Sequence, residues 1–381
     1  MTTLRRATGG TVQLGRQLAE GGEGRIHSVS QDSRDLAKIY LKPVDAVRHR
    51  KLIAMIQMQT TDLQKAAAWP FDLLGDSRGQ CLGFMMPRIN APGDIDQLSH
   101  PAEQRTAFPT VDYGFLVHVS MNLMRAASTL HASGCVIGDV NQSNVRVLKD
   151  GTVRFIDVDS FQIKTNGEVF PCLVGTPMYT PPELQGTSLR NQCRTTTHDS
   201  FGLSVLVFQL LMCGRHPFAG VPADNRPRTI EQAIGEGLFA YSGQRPSLIA
   251  PPPDTMSLAS LGDLAPLFER TFTTRQRPSA HEWTLALDRV RTRLMGCDRN
   301  RRHCRITSGP CALCALPRDP LPDGTSVGPT VDLDGLSIGQ LIREAGSIPS
   351  LRRVEERCRQ PELSYAERQV PSSPPTSNAK I

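Results

Sequence analysis

Three short polar clusters in this chain carry residue types that can handle phosphate and metal. The first is Ala19-Glu20-Gly21-Gly22-Glu23-Gly24, followed by Arg25-Ile26 and, fourteen residues after Gly24, by Lys38 in the run Leu36-Ala37-Lys38-Ile39-Tyr40. Glycines let backbone amides approach phosphate oxygens with no Cβ in the way, and a lysine on the adjoining strand neutralises phosphate charge. A glycine cluster ahead of a strand is equally the mark of a plain hairpin. The second cluster, Gly138-Asp139-Val140-Asn141-Gln142-Ser143-Asn144, and the third, Phe155-Ile156-Asp157-Val158-Asp159, supply a carboxylate, an amide and another carboxylate. Mg²⁺ takes oxygen ligands and keeps part of its water, which makes Asn144 and Asp157 candidate ligands. Asp139 can then accept or orient the proton of an incoming hydroxyl, although an Asx-type cap is the other use of such a residue.

A fourth cluster has different chemistry. Of ten cysteines, Cys297, Cys304, Cys311 and Cys314 fall within eighteen residues, with His303 among them. The segment is too short to build its own core, and three thiolates with an imidazole, or four thiolates, would close a tetrahedral zinc site that folds it. The Cys-x2-Cys pair at 311 and 314 is the sharpest part of that signal, while His303 and Cys304 compete for one position. The remaining cysteines are scattered singly, as reduced thiols are in a chain with no export signal.

These clusters need elements to hold them. Short strand-like runs around glycines dominate from Gln13 to about Ile89, which predicts a small sheet-rich lobe. Helical periodicity takes over from about Val111 to Leu294, in FLVHVSMNLMRAASTLHASG and FGLSVLVFQLLMCG, each closed by a glycine at C′. Between the two helices, NVRVLKDGTVRFIDVD reads as a hairpin about a Lys-Asp-Gly turn. The expected boundaries are 1–89 for the small lobe and hinge, 90–295 for the large lobe, 296–316 for the zinc knuckle, and 317–381 for a mostly disordered tail with one short helix near Ser337 to Cys358. No apolar run is long enough to span a bilayer, and the formal charge of +6 is spread along the chain. A cytoplasmic protein is expected, with no membrane association and no support for nucleic-acid binding.

The order of these elements resembles the eukaryotic-like (Hanks-type) Ser/Thr protein kinases from about Leu14 to Met295. Asp139 matches the catalytic-loop aspartate, Asn144 the metal-binding asparagine, Asp157 the aspartate of the Asp-Phe-Gly site and Lys38 the lysine of the third strand. Val174-Gly175-Thr176-Pro177-Met178-Tyr179-Thr180-Pro181-Pro182-Glu183 is similar to the end of an activation segment, His198-Asp199-Ser200-Phe201-Gly202 to the start of the central helix, and Arg277-Pro278-Ser279 to the late arginine motif. The resemblance implies an α+β bilobal kinase-like fold. It also implies an ATP site formed by Gly21, Gly22, Gly24, Ile26 and Lys38, with Met86 as gatekeeper and Pro87 to Ile89 as hinge. Asn144 and Asp157 would hold Mg²⁺ or Mn²⁺, and a Glu183–Arg277 ion pair would tie the activation segment down. IGDVNQSNV, FIDVDSFQI and GRHPF are similar to a bacterial subgroup found beside von Willebrand A-type and PP2C-like proteins in tellurite-resistance-like gene groups. That subgroup implies His303 rather than Cys304 as the ligand beside Cys297, Cys311 and Cys314, and phosphatase or von Willebrand A-type partners besides a protein substrate.

Several residues depart from the pattern. Ala19 stands at the first loop glycine, Ile137-Gly138 at the His-Arg before the catalytic aspartate, and Asn141 at a lysine that contacts the transferred phosphate. Asp159 stands at the glycine of Asp-Phe-Gly, where no direct phosphate contact is expected. Ala46 to Gln59 contains no acidic residue to pair with Lys38. Two functions fit: an active or weakly active ATP- and Mg²⁺-dependent Ser/Thr protein kinase, or a nucleotide-binding pseudokinase that docks partners through the knuckle and tail.

Overall fold

The computed structural model describes residues 2–321 apart from 30, 31, 245 and 246. The expected helix near Ser337 to Cys358 and the expected tail beyond 321 lie outside the described residues.

Six antiparallel strands, β1 (Thr3–Arg6), β2 (Thr11–Glu20), β3 (Gly24–Val29), β4 (Asp32–Tyr40), β5 (Asp72–Gly75) and β6 (Cys81–Pro87), close into a barrel in the order β1-β2-β3-β4-β6-β5. Side chains alternate along a strand, so Leu4, Val12, Leu14, Ala37 and Met85 fill the interior. The sheet-rich lobe is as expected; β1 adds a strand ahead of the strand-like runs read from Gln13 onward, and closure depends on its pairing with both β2 and β5. Helices α1 (Ala46–Gln57), started by an Asp45 cap on the Arg48 amide, and α2 (Thr61–Ala66) connect β4 to β5. Gly83 on β6 faces β4 so closely that a Cβ there would lie 1.9 Å from the Lys38 carbonyl oxygen. Gly83→Ala is therefore expected to cost about 3 kcal/mol of stability in a denaturant titration. An unchanged midpoint would contradict this packing.

The larger lobe contains β7 (Gly93–Asp94), α3 (Ile95–Ser99), α4 (Pro101–Ala107), α5 (Tyr113–Ala132), β8 (Cys135–Val136), β9 (Val145–Val147), β10 (Val153–Phe155), β11 (Gln162–Thr165), β12 (Glu168–Phe170), α6 (Thr196–Leu211), α7 (Ile230–Gly235), α8 (Ala265–Thr273) and α9 (Ala280–Thr292). Helix α6 is apolar nearly all round and buried, as such a sequence requires; α5 packs against it and against α9. Gly134 follows α5 at φ 79° as a C-terminal glycine should, but after α6 the first left-handed residue is Cys213 (φ 52°), with Gly214 next. The cap there spans two positive-φ residues, and the Gly214 amide donates to the Gln209 carbonyl at 2.7 Å.

Behind α9, Met295–Gly296 pairs with Cys304–Arg305 in a short ribbon. The folded chain extends past the expected knuckle boundary at 316. Leu313 and Leu321 are both buried in the large-lobe core, and the Asp319 carboxylate accepts from the Asn300 side chain at 2.8 Å. These contacts fasten residues 317–321, which the sequence assigned to the tail. Among the described residues, no helix is long and apolar enough to cross a membrane.

Candidate active site

The hairpin β9–β10 sets the register of the polar cluster. Val145 lies opposite Phe155, and the Ile156 amide donates to the Asn144 carbonyl at 2.9 Å, so Asn144 and Asp157 emerge side by side at the open end. Asp157 adopts left-handed backbone angles (φ 58°, ψ 36°) and opens a 3₁₀ turn over Val158–Ser160. A non-glycine residue in that region is uncommon and marks a position defined by its surroundings. Both residues offer oxygen donors of the kind a hard divalent cation takes, and the Asp157 side chain remains 44% exposed and accessible.

The loop carrying Asp139 is fixed from below by α6. The buried Asp199 carboxylate accepts from the Ile137 amide at 2.7 Å, from the Gly138 amide at 2.8 Å and pairs with His131 Nε2 at 2.9 Å. Asn141 caps the next turn, its side-chain oxygen accepting from the Ser143 and Asn144 amides, each at 3.1 Å. Asn141 thus serves this loop as a structural cap. Asp139 itself accepts a hydrogen bond from the Thr176 hydroxyl at 2.9 Å. A threonine hydroxyl already rests where a hydroxyl can meet this carboxylate.

Above the loop, Lys38 projects from β4. Its Nζ donates to Asp157 at 2.5 Å and to Asp159 at 2.7 Å, and the Tyr40 hydroxyl donates to the other Asp159 oxygen at 2.7 Å. Burial disfavours the Lys38 charge, but Asp159 and Asp157 outweigh it and raise its pKa above the ordinary value. Burial together with the Asp159 charge raises the Asp157 carboxyl, whereas Asp159, although burial pushes it up, is held below the ordinary range by Lys38 and the Lys38 and Tyr40 hydrogen bonds. The neighbouring α1 contributes a cation: the Lys51 ammonium donates to the Asp159 main-chain oxygen at 2.7 Å.

The glycine turn joins β2 to β3, with the Gly21 amide donating to the Gly24 carbonyl at 2.9 Å. A Cβ on Gly24 would lie 2.9 Å from the Ile39 carbonyl oxygen and 3.5 Å from Lys38 Cε, whereas Cβ atoms on Gly21 and Gly22 would meet nothing within 4 Å. Ile26 is directly opposite Lys38 in the β3–β4 register. Met86 packs with the cluster of Tyr40, Leu52 and Phe84 beside α1. Pro87 ends β6, the Arg88 amide donates to the Arg34 carbonyl at 2.7 Å, and Ile89 is half-buried on the way to the larger lobe.

The segment leading to Pro182 is tied at two points. Arg277 Nη1 and Nη2 donate to the two Glu183 oxygens at 2.6 and 2.8 Å, with the arginine 2% exposed. Beneath Gly138, which has φ 74° and would place a Cβ 2.7 Å from Cys172, the buried Arg194 guanidinium donates to the carbonyls of Gly138, Val174 and Cys172. A guanidinium thus ties the backbone before Asp139 to the segment Cys172–Val174. Sequence reasoning missed Arg194, because nothing local marks it.

The cysteine cluster converges as well. The ligand atoms of Cys297, His303, Cys311 and Cys314 all lie within 4.8 Å of one another. Cys297 Sγ is 3.5 Å from Cys314 Sγ, and His303 Nδ1 is 3.4 Å from Cys314 Sγ and 3.8 Å from Cys311 Sγ. Tetrahedral zinc with bonds of about 2.3 Å to sulfur needs ligand separations of roughly 3.5–3.8 Å, so the donor set fits that ion. His303 is buried, and its Nε2 meets Asp319 at 2.8 Å, a partner invisible from the Cys/His spacing. Cys304, next in the ribbon, points away and packs near Gly114 of α5.

Comparison with known proteins matches residues 93–280 to the protein kinase domain. The chain is similar to the protein kinase YegI of Escherichia coli O157:H7, at 38% identity over 327 residues, covering 82% of this chain and 50% of that one. Protein kinase YegI of Escherichia coli strain K12 is 37% identical over 323 residues, covering 81% of this chain and 49% of that one. The chain therefore spans about half the length of the curated relatives it matches.

Proposed function

We propose that this chain, whose residues 93–280 match the protein kinase domain, transfers the γ-phosphate of ATP to serine and threonine hydroxyls of a protein substrate, with Mg²⁺ or Mn²⁺. The observation that carries the proposal is the approach of Lys38 from β4, of Asp139 and Asn144 from one loop, and of Asp157 from the turn after β10, three segments in all. A divalent cation bound with ATP neutralises phosphate charge as it migrates toward the leaving group. Asn144 and Asp157 would hold that cation, and Lys38 would meet the α- and β-phosphates under the glycine turn. Asp139 accepts the proton of the incoming hydroxyl, in the place where it now accepts from Thr176. That existing contact with an aliphatic hydroxyl favours serine and threonine over tyrosine. The test is acid hydrolysis of protein labelled by γ-labelled ATP: phosphoserine and phosphothreonine are expected, their loss on adding EDTA is expected, and phosphotyrosine alone would contradict the assignment.

In this reading Cys297, His303, Cys311 and Cys314 bind one structural zinc, with Asp319 orienting His303. The full chain is expected to carry about one zinc per molecule, as a closed four-ligand site does. Cys311→Ser with Cys314→Ser should remove it and lower the melting temperature, because Leu313 and Leu321 would lose their fastening to the core. Asp319→Ala should weaken zinc affinity by about tenfold in a chelator competition. Stoichiometric zinc retained by the double serine variant would rule the site out.

A further inference from the structure

The domain's nucleotide lysine has lost its usual carboxylate, and the structure contains a substitute from an unexpected place. Kinases of this type hold the lysine with a glutamate from the helix after β4. Here that helix is α1, AVRHRKLIAMIQ, which has no acidic residue. Lys38 is 7% exposed at its side chain, and a buried ammonium needs a partner that stays with it. Two carboxylates reach it, and they differ in exposure. Asp157 is 44% exposed and faces the cleft; Asp159 is 4% exposed and is enclosed by Lys38 and Tyr40.

Resting on the kinase reading above, we infer that Asp159 is the positioning residue for Lys38, holding its ammonium when Asp157 is given over to the metal, so that α1 supplies no carboxylate to the site. The roles divide by accessibility. A metal that arrives with nucleotide can reach Asp157, whereas Asp159 has both oxygens taken, one by Lys38 and one by Tyr40. Without Asp159, the whole charge of Lys38 would fall on Asp157, and lysine and metal would compete for one carboxylate. Lys51 completes the exchange: α1 presents a cation to the Asp159 main chain at 2.7 Å and steadies the turn that carries the acid. The acid that orients the lysine and the acid that binds the metal are then two residues apart in one turn. The carboxylate that pairs with Lys38 is thus carried by the turn after β10 and not by α1, whose part is the Lys51 contact to that turn.

The test uses the full chain as wild type, Asp159→Asn and Tyr40→Phe, with Tyr40→Phe also made on a Lys38→Met background. Asp159→Asn is expected to lower kcat for phosphate transfer by at least about tenfold while the KM for ATP stays within about threefold, the pattern of a lost transition-state interaction. Should Asp159→Asn not fold, Tyr40→Phe decides, since it removes one hydrogen bond to Asp159 and no charge. Mn²⁺ affinity in the presence of ADP, read from the free Mn²⁺ spin-resonance signal, is expected to weaken about threefold in Tyr40→Phe and to be unaffected by the same change on the Lys38→Met background. An Asp159→Asn chain with kcat within twofold of wild type overturns the inference, as does an equal Tyr40→Phe effect with and without Lys38. If the wild type binds Mn²⁺ and ADP yet transfers no phosphate, the proposed function fails while the Tyr40→Phe comparison still decides the role of Asp159. A wild type that binds neither overturns both.

Discussion

An Arg277→Ala chain is expected to lose about 3–5 kcal/mol of stability, the cost of leaving one partner of a buried ion pair uncompensated. The guanidinium is 2% exposed, meets both Glu183 oxygens, lies 5.3 Å from the Phe201 ring centre and donates through Nε to the Thr271 carbonyl at 3.2 Å. Truncation therefore removes a bidentate pair and opens a gap beside α6, and Glu183 is left without its main cation. Although burial pushes the Glu183 carboxyl up, Arg277 holds it below its ordinary value of 4.5 in the folded chain. A depressed carboxylate contributes stability that is present above the unfolded value and is lost as pH falls through the folded one. The wild-type advantage over Arg277→Ala should accordingly shrink on acidification below about pH 4.5. Urea titrations at neutral and acidic pH check both statements; a neutral-pH loss under 1 kcal/mol, or a gap that widens in acid, would show that the pair does not hold the segment.

Asp139→Asn is expected to lower phosphate transfer by about 10²–10⁴-fold, the range assigned to a positioned general base. The substitution keeps the shape of the side chain and an oxygen that can still accept from Thr176, while the backbone before it remains clamped by Asp199. Folding and nucleotide binding should therefore be preserved, and what is lost is the capacity to take a proton from the acceptor hydroxyl. Melting temperature within about 2 °C of wild type, a shift of about 1 kcal/mol for a folded unit of this size, alongside a collapsed rate is the expected pairing. A collapsed melting temperature would mean that Asp139 acts as a structural cap of the loop instead.

The parts of this site that were legible in the sequence are those whose chemistry is local. Asp139 and Asn144 share one loop, Asp157 follows a hairpin whose turn residues announce it, and Lys38 sits fourteen residues beyond its glycine turn. Helices α5 and α6 were legible from their periodicity. What escaped were contacts made across long stretches of chain. The Lys38–Asp159 bond spans 121 residues and the Arg194–Gly138 bond 56, and neither has a spacing rule. A signal for the first was present all the same: an intact Lys38 with no acid in α1 calls for a carboxylate elsewhere, and Asp159 was the extra acid beside Asp157. Barrel closure depends on β1 meeting β5 across most of the small lobe, which no local pattern encodes. For the Cys/His cluster, spacing left His303 and Cys304 in competition; the fold brings His303 to Cys297, Cys311 and Cys314, while Cys304 enters the ribbon that pairs with Met295–Gly296. Asp319 reads as tail because its partners Asn300 and His303 lie 19 and 16 residues earlier, and no Cys/His spacing rule points to an aspartate there.

The most direct test of the account measures binding and transfer together on one preparation of the full chain. Wild type and Asp139→Asn are each titrated with a fluorescent ATP analogue in Mg²⁺ and then given γ-labelled ATP with a generic protein acceptor. The expected result is similar nucleotide affinity for both chains, with label transferred to protein by the wild type alone. Equal, negligible transfer by two chains that both bind nucleotide would contradict the enzyme reading and leave a nucleotide-binding scaffold in its place.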